Sequence, residues 1–392
     1  MPDFSAIKAY AERHFELDGG RGRLLPMEGM RGLSAFLVFF VHFNALFGAR
    51  AGHSPVHSIL EFMATLGHCG VDVFFVLSGF IIYGLLQRRP TGYIAYIGRR
   101  LVRLYPVFTA IFAVYVVLSL VMPSYSKLPG SLFPALVYLG ANFLMLPGIF
   151  PIVPLITPAW SLSYELCFYL TLPLLLRSLR LLEWPRAARV GFFLLICGAC
   201  LGLSRAGLFQ HPRLIMFGAG ILLCETLHLR PSWIKFGDLA ALLLFACTLA
   251  LIGARNEPVF ASYCGPIIVN SDFNLMLLFV STYALGYYAL GGGDLLAKLF
   301  SWDWLRWFGN MSYSYYLAHG LIMHLLRGIL EYFHLPALLS LFPFLLLGLL
   351  TFATTVVGSA VVFLAIEKRF SFSHRPARVS VPAAQETSVS IA

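Results

Sequence analysis

Met30-Arg31-Gly32-Leu33-Ser34-Ala35-Phe36-Leu37-Val38-Phe39-Phe40-Val41-His42-Phe43 is an apolar run that carries an arginine and, after ten intervening residues, a histidine. A cation and an imidazole are expensive in hydrocarbon, so an ionisable pair kept in a spanning segment marks a functional site. On a helix the step from Arg31 to His42 advances the chain by about 16 Å and completes almost three turns, so both side chains share one face at different depths. One then belongs at the membrane surface and the other well inside.

Outward from this run, the composition is that of a membrane protein. The 392 residues are 59% hydrophobic and 12% charged, whereas a soluble domain carries roughly 25% charged residues. Apolar stretches long enough to cross a bilayer recur along the whole length. The expected fold is an all-α polytopic bundle of about ten transmembrane helices, at 30–47, 70–86, 104–122, 160–180, 189–203, 213–228, 237–253, 273–290, 311–329 and 341–365. The stretch 131–147 is also apolar, but it lies between Pro129-Gly130 and Pro147-Gly148 and reads as a short interfacial or re-entrant helix.

The basic residues test the topology independently. With a cytoplasmic N-terminus, only Arg50, Lys127, Arg205, Arg213, Arg255 and Arg327 of the 28 Lys and Arg residues fall outside. That asymmetry is what the positive-inside rule requires of an even span count with both termini cytoplasmic. The net charge of +10 is therefore mostly topology. Its scatter over short loops argues against a nucleic-acid partner.

The expected organisation is a cytoplasmic segment 1–26, a transmembrane domain 27–370 and a disordered tail 371–392 rich in Ser, Ala and Pro. Ala49-Arg50-Ala51 has the look of a signal-peptide cleavage site, but the long acidic region before it and His42 within the run favour a retained first span. Cys167, Cys197, Cys200, Cys224 and Cys247 fall within spans, where packing is the better reading. Cys197-x-x-Cys200 lacks the neighbouring ligands a zinc site needs, so no metal is expected. Cys69 and Cys264 both fall near the outer surface, a weak signal for a disulfide.

Five blocks then occur in order: Glu28-Gly29-Met30-Arg31-Gly32-Leu33-Ser34-Ala35 with His42, Gly70-Val71-Asp72-Val73-Phe74-Phe75-Val76-Leu77-Ser78-Gly79-Phe80, Arg99-Arg100-Leu101-Val102-Arg103-Leu104-Tyr105-Pro106, Trp160-Ser161-Leu162-Ser163-Tyr164-Glu165-Leu166-Cys167-Phe168-Tyr169, and Gly309-Asn310-Met311-Ser312-Tyr313-Ser314-Tyr315-Tyr316-Leu317-Ala318-His319. In this order they resemble the membrane-bound acyltransferase 3 family, whose members share an Arg, ten residues, His motif. Where Tyr164-Glu165 stands the family often has two acidic residues, which leaves Glu165 the single carboxylate of its block. The resemblance implies transfer of an acyl group, commonly acetyl or succinyl, from a cytoplasmic coenzyme A thioester to a carbohydrate hydroxyl. Lipopolysaccharide O-antigen, peptidoglycan, exopolysaccharides and Nod-factor-like oligosaccharides are acceptors in the family. The chain is expected to be of the stand-alone kind, without an appended esterase-like domain, in a bacterial inner membrane, with acyl-CoA as donor substrate and no permanently bound cofactor.

Acyl transfer to a hydroxyl needs a base, and imidazole has the pKa for that work near neutrality. His42 is the candidate; the bland alternative is a histidine satisfied by a helix carbonyl. Depth counted from the helix ends puts His42 and Glu165 each roughly 8 Å below the outer surface, where Glu165 either orients the imidazole as in a catalytic triad, binds a sugar hydroxyl, or simply faces outer water. Ser161 lies one turn from Glu165 and is expected to line the site. Asp72 is either an acceptor ligand or a carboxylate favoured by a helix N-terminus. His319 is expected near mid-membrane, against the acceptor or thioester or in a structural hydrogen bond between helices.

Arg31 belongs at the inner surface with Arg99, Arg100 and Arg103, whose guanidinium forks suit the phosphates of coenzyme A. Arg-rich cytoplasmic loops are also ordinary in membrane proteins. His53, His57 and His68 are expected as solvated residues of the first outer loop. A different class, a multi-pass transporter or flippase with a proton relay, uses the same residue types, but the Gly- or Pro-broken helix pairs of an inverted-repeat carrier are not evident.

Overall fold

The computed structural model describes residues 4–17, 24–52, 55–88, 92–123, 126–227, 236–254, 271–292, 294–333 and 341–372. His53, Arg255, Cys264 and the tail from 373 onward lie outside the described residues. Apart from one isolated β-bridge between Pro147 and Phe150, the regular structure described is helical. In chain order the helices are α1 (Phe4–Phe15), α2 (Leu25–Phe47), α3 (Pro55–Gly67), α4 (Cys69–Arg88), α5 (Tyr93–Val121), α6 (Leu132–Phe143), α7 (Trp160–Ser178) and α8 (Arg186–Arg205). They continue as α9 (Ile215–Thr226), α10 (Gly237–Ala254), α11 (Ser271–Gly291), α12 (Asp294–Phe300), α13 (Asp303–Asn310), α14 (Ser312–Tyr332) and α15 (Leu341–Val362), which runs on as a π-helix over Phe363–Ser371.

Eight helical segments among the described residues are long and apolar enough to cross a membrane. Two of the ten expected spans are absent from that set for different reasons. The stretch 213–228 forms α9, twelve residues long, which at 1.5 Å per residue reaches about 18 Å, well short of a hydrocarbon core of about 30 Å. The stretch 311–329 forms α14, which at 21 residues is long enough, but its Ser-Tyr-rich first half and Arg327 and Glu331 lower its apolarity. Between the flanking Pro-Gly pairs, α6 is a 12-residue helix, too short to span.

The outer part of the second span also differs from expectation. Residues 55–67 are not a loop: α3 and α4 together form a broken 34-residue apolar run, Pro55–Arg88. Val56 and Leu60 pack with Phe43, Phe47 and Ala51, and a Cβ on Gly67 would lie 2.5 Å from Leu37 O. The break at His68 therefore sits beside the middle of α2. His68 is exposed and within electrostatic reach of His42, and His57 pairs with Glu61 at 3.2 Å along α3.

At the centre, α2 packs on α3, α4, α12, α13 and α14. The α4–α9 contact is closer still, because small residues let helix backbones meet where hydrocarbon offers no hydrophobic drive. A Cβ on Gly220 would lie 2.0 Å from Val76 O. Outward-facing Val117, Leu120, Leu195, Leu349 and Val357 are largely exposed, the apolar surface that lipid covers.

Helix α1 is fastened beneath the bundle. Glu16 accepts from Arg306 and from Trp307 Nε1 at 2.8 Å, and Asn310 Nδ2 donates to Phe15 O at 3.0 Å. Lys368 Nζ donates to His14 O at 2.7 Å, while the Phe15 and Phe363 rings stack at 5.8 Å. On the far side, Lys127 Nζ donates to Pro154 O at 2.9 Å and Thr157 Oγ1 at 3.1 Å. Burial holds that ammonium below the ordinary lysine value.

Candidate active site

Helices α2 and α14 run side by side, and Ser312, Tyr316 and His319 recur at the three- and four-residue intervals that place them on neighbouring turns. Contact between α2 and α13, the helix before α14, requires glycine: a Cβ on Gly309 would lie 1.8 Å from Glu28 O. Arg306 of α13 holds the same turn of α2 through Glu28 Oε2 at 3.3 Å. The seam is thus fixed at one end, and polar groups occupy it at three levels.

At the first level Arg31 Nη2 donates to Ser312 Oγ at 3.0 Å. Arg103, Glu165 and Glu367 lie within electrostatic reach of Arg31. Glu367 is fully buried and accepts from Arg103 Nη1 at 2.5 Å and from Ser314 N at 3.1 Å. The Arg103 guanidinium lies 5.6 Å from the Tyr313 ring centroid and 4.4 Å from that of Phe372, so two aromatic rings and a carboxylate surround its fork. Glu165 accepts from Ser78 Oγ at 2.8 Å and Tyr169 Oη at 3.1 Å.

One turn further along, Tyr316 Oη donates to Pro158 O at 2.8 Å and lies 2.7 Å from Ser161 Oγ. At the third level the His42 and His319 rings meet edge-to-face with centroids 4.8 Å apart. His319 Nδ1 is 2.8 Å from Tyr315 O, an acceptor only, so Nδ1 carries the proton and Nε2 keeps its lone pair. That Nε2, on a residue 0% exposed, has no hydrogen-bond partner among the described residues.

Arg31, Arg103 and Glu165 thus converge on one charged group, and His42 converges on His319. His42 and Glu165 do not meet, against the expectation from depth. The counting took the start of α7 as the membrane surface, but Leu155 and Ile156 before it are 2% and 1% exposed, and Pro158 is bound to Tyr316. Helix α7 therefore begins inside the bundle, and Glu165, a turn beyond Ser161, reaches the Arg31 level.

The remaining expected residues spread around this seam. Arg99 is exposed, and Arg100 lies 5.7 Å from the ring centroid of Tyr96. Asp72 falls in the first turn of α4, as the dipole argument allows, and also 3.6 Å from Arg213. Glu367 and Ser314 went unrecognised in the sequence: Glu367 reads there as part of the charged flank Glu-Lys-Arg after the last span, and only the π-helical continuation turns it inward. Another buried carboxylate, Glu225, accepts from Arg189 Nε at 2.6 Å and Nη2 at 2.9 Å and from Tyr83. It ties α4, α8 and α9 together away from the seam. Among the described residues no group of three or more His, Cys, Asp or Glu side chains is arranged to hold a metal ion.

Residues 26–364 match the family described as an acyltransferase domain, and the chain belongs to this acyltransferase 3 family. It is 30% identical over 222 residues to the exopolysaccharide production protein ExoZ of Rhizobium meliloti, covering 52% of this chain and 65% of that protein. Over 165 residues it is 35% identical to the acyltransferase MdmB of Streptomyces mycarofaciens, covering 40% of each. Similarity to the peptidoglycan O-acetyltransferase OatA of Listeria monocytogenes extends over 345 residues at 26% identity, 78% of this chain and 50% of that protein. The matches thus span less than two thirds of each relative's own length. No solved structure matches the chain significantly.

Proposed function

We propose that the chain is an integral-membrane O-acyltransferase that moves an acetyl or succinyl group from cytoplasmic acyl-CoA to a hydroxyl of a surface or exported carbohydrate. The observation that carries this reading is the α2–α14 seam, with Arg31 and Arg103 at one level and the His42–His319 pair about three turns away. In this reading the chain crosses a bacterial cytoplasmic membrane an even number of times with both termini inside, since the basic residues then obey the positive-inside rule. The relatives named for exopolysaccharide production and for peptidoglycan O-acetylation support a carbohydrate acceptor.

Arg31, Arg99, Arg100 and Arg103 hold the phosphates of the donor, with Glu165 and Glu367 as positioning residues that balance the buried guanidinium charge. His42 removes the proton of the acceptor hydroxyl as its oxygen attacks the thioester carbonyl. The C–S bond breaks, the ester forms, and the proton passes to the departing thiolate. His319, its tautomer set by Tyr315 O and its ring edge-to-face with that of His42, positions the His42 imidazole. Asp72 and Ser161 contact the acceptor.

The test is transfer of labelled acetyl or succinyl from its coenzyme A thioester to glycan in membranes bearing the protein, with NMR comparison of surface and secreted glycans from a deletion strain and its parent. Loss of one ester signal in the deletion strain, restored by the wild-type chain and not by His42→Ala, is the expected result. Unchanged esters, together with glycan translocation that His42→Ala abolishes, would overturn it in favour of a transporter. Thioester turnover by the purified protein without glycan modification would place the final transfer on a second enzyme.

A further inference from the structure

Asp72 is 3% exposed, yet no hydrogen bond satisfies it. Oδ1 is buried with no hydrogen-bond partner among the described residues, and Oδ2 lies 3.6 Å from Arg213 Nη1, beyond the range of a good hydrogen bond. A buried acceptor left open in this way is destabilising and is expected to be filled by a ligand or water. The surroundings are well built. The Arg213 guanidinium stands 5.7 Å from the ring centroid of Trp160, and Tyr164 Oη is 2.8 Å from His211 Nδ1. The Trp160 and Tyr164 rings meet edge-to-face at 5.6 Å, and Tyr164 stacks on Phe75. Arg213 keeps 35% of its side chain exposed, so one side of the group is open.

The cluster borders the seam. Trp160 precedes Ser161, whose hydroxyl meets Tyr316, and the charge of Arg213 reaches Tyr316. A carboxylate acceptor, a guanidinium donor and an aromatic ring side by side, open where Arg213 is exposed, match a pyranose. One sugar hydroxyl donates to the carboxylate and accepts from the guanidinium, while an apolar C–H face lies on the aromatic ring.

We propose that Asp72, Arg213 and Trp160 form a saccharide subsite that holds the acceptor sugar next to the reacting hydroxyl, a proposal that rests on the acyltransferase reading. Asp72 and Arg213 grip through hydroxyls, so the subsite selects an uncharged sugar ring, and Arg213→Gln weakens it no less for a neutral glycan than for an acidic one.

The test uses the full chain in nanodiscs, with the unesterified surface polysaccharide of a deletion strain as acceptor probe and acetyl-CoA as donor probe. Binding of the polysaccharide is followed by saturation-transfer difference NMR, binding of acetyl-CoA by equilibrium dialysis, and transfer by label incorporation. Asp72→Asn and Arg213→Gln are expected to weaken polysaccharide binding and raise its apparent KM about tenfold or more, with Arg213→Lys recovering part of the loss and the acetyl-CoA Kd unchanged. Trp160→Phe keeps an aromatic face and serves as the variant that folds, with an intermediate effect expected. Polysaccharide binding and KM at wild-type values in Asp72→Asn and Trp160→Phe would show a buried ion pair bridged by water and overturn the subsite. If the wild-type chain binds the polysaccharide in an Asp72-dependent way but transfers no acyl group, the subsite stands and the transferase reading falls. A wild-type chain that does not bind it overturns the subsite whether or not transfer occurs.

Discussion

The two ends of the α2–α14 seam are built on opposite principles. Around Arg31 the polar side chains pair with one another: Arg31 with Ser312, Arg103 with Glu367, Glu367 with Ser314, and Glu165 with Ser78 and Tyr169. Around His42 they are open, with a histidine nitrogen buried and unpartnered beside it. Closed networks specify geometry and contribute to stability, whereas an open buried lone pair costs stability and is kept where a reacting group visits. Mutation should therefore separate the two ends, chemistry failing at one and folding at the other.

His42→Ala should give the largest effect on rate, a loss of roughly 10²- to 10⁴-fold in acyl transfer, with a thermal midpoint close to that of the wild-type chain. Transfer above a tenth of the wild-type rate would break the contrast at its open end. Glu367→Ala should do the reverse and lower stability first. Stripping one partner from a buried pair costs about 3–5 kcal/mol, and because Arg103 is 21% exposed roughly half of that is expected. The paired change Arg103→Met with Glu367→Met should regain most of the stability without regaining donor affinity, since an apolar pair replaces the bridge but not the guanidinium. Melting temperature and acyl-CoA Kd, measured side by side, decide whether that network is structural alone.

Between the two ends, Tyr316→Phe removes the hydroxyl that links α14 to Ser161 and Pro158. A loss of about 1 kcal/mol in stability and a modest fall in rate are expected, a midpoint between the extremes; a purely kinetic effect would move this level to the open end. The smallest effect belongs to Lys127→Met. Cutting the bonds to Pro154 and Thr157 should hasten proteolysis across 144–156 while leaving transfer near the wild-type rate.

Much of this division was legible in the sequence, and the reason lies in periodicity. Arg31 and His42 share a face because a helix in hydrocarbon has little freedom to be anything else, and the spacing of Ser312, Tyr316 and His319 carries the same information. What escaped was depth. Counting from helix ends assumes that an end is a surface, and it misplaced Glu165 because the chain at 155–159 is already inside the bundle. It missed the helix before His68 as well, because residues 55–67 continue the apolar run, although His68 itself is exposed as expected. Glu367 escaped for a related reason: a Glu-Lys-Arg run after an apolar helix reads as a solvated flank, and only the π-helical turn carries the carboxylate inward. Periodicity is local, whereas depth depends on neighbours that the pattern does not name.

Helix α1 lies before residue 26, where the match to the family begins, yet it is spliced into the bundle through Arg306, Trp307, Asn310 and Lys368. Trimming the protein to its family limits would therefore unbolt a floor plate. Arg306, 6% exposed, would lose Glu16 and lean on Glu28 and Asp303 alone, and Glu28 sits one turn below Arg31. Anyone who shortens this protein for expression, or fuses a bulky partner to its first residues, alters the ground on which the Arg31 cluster stands.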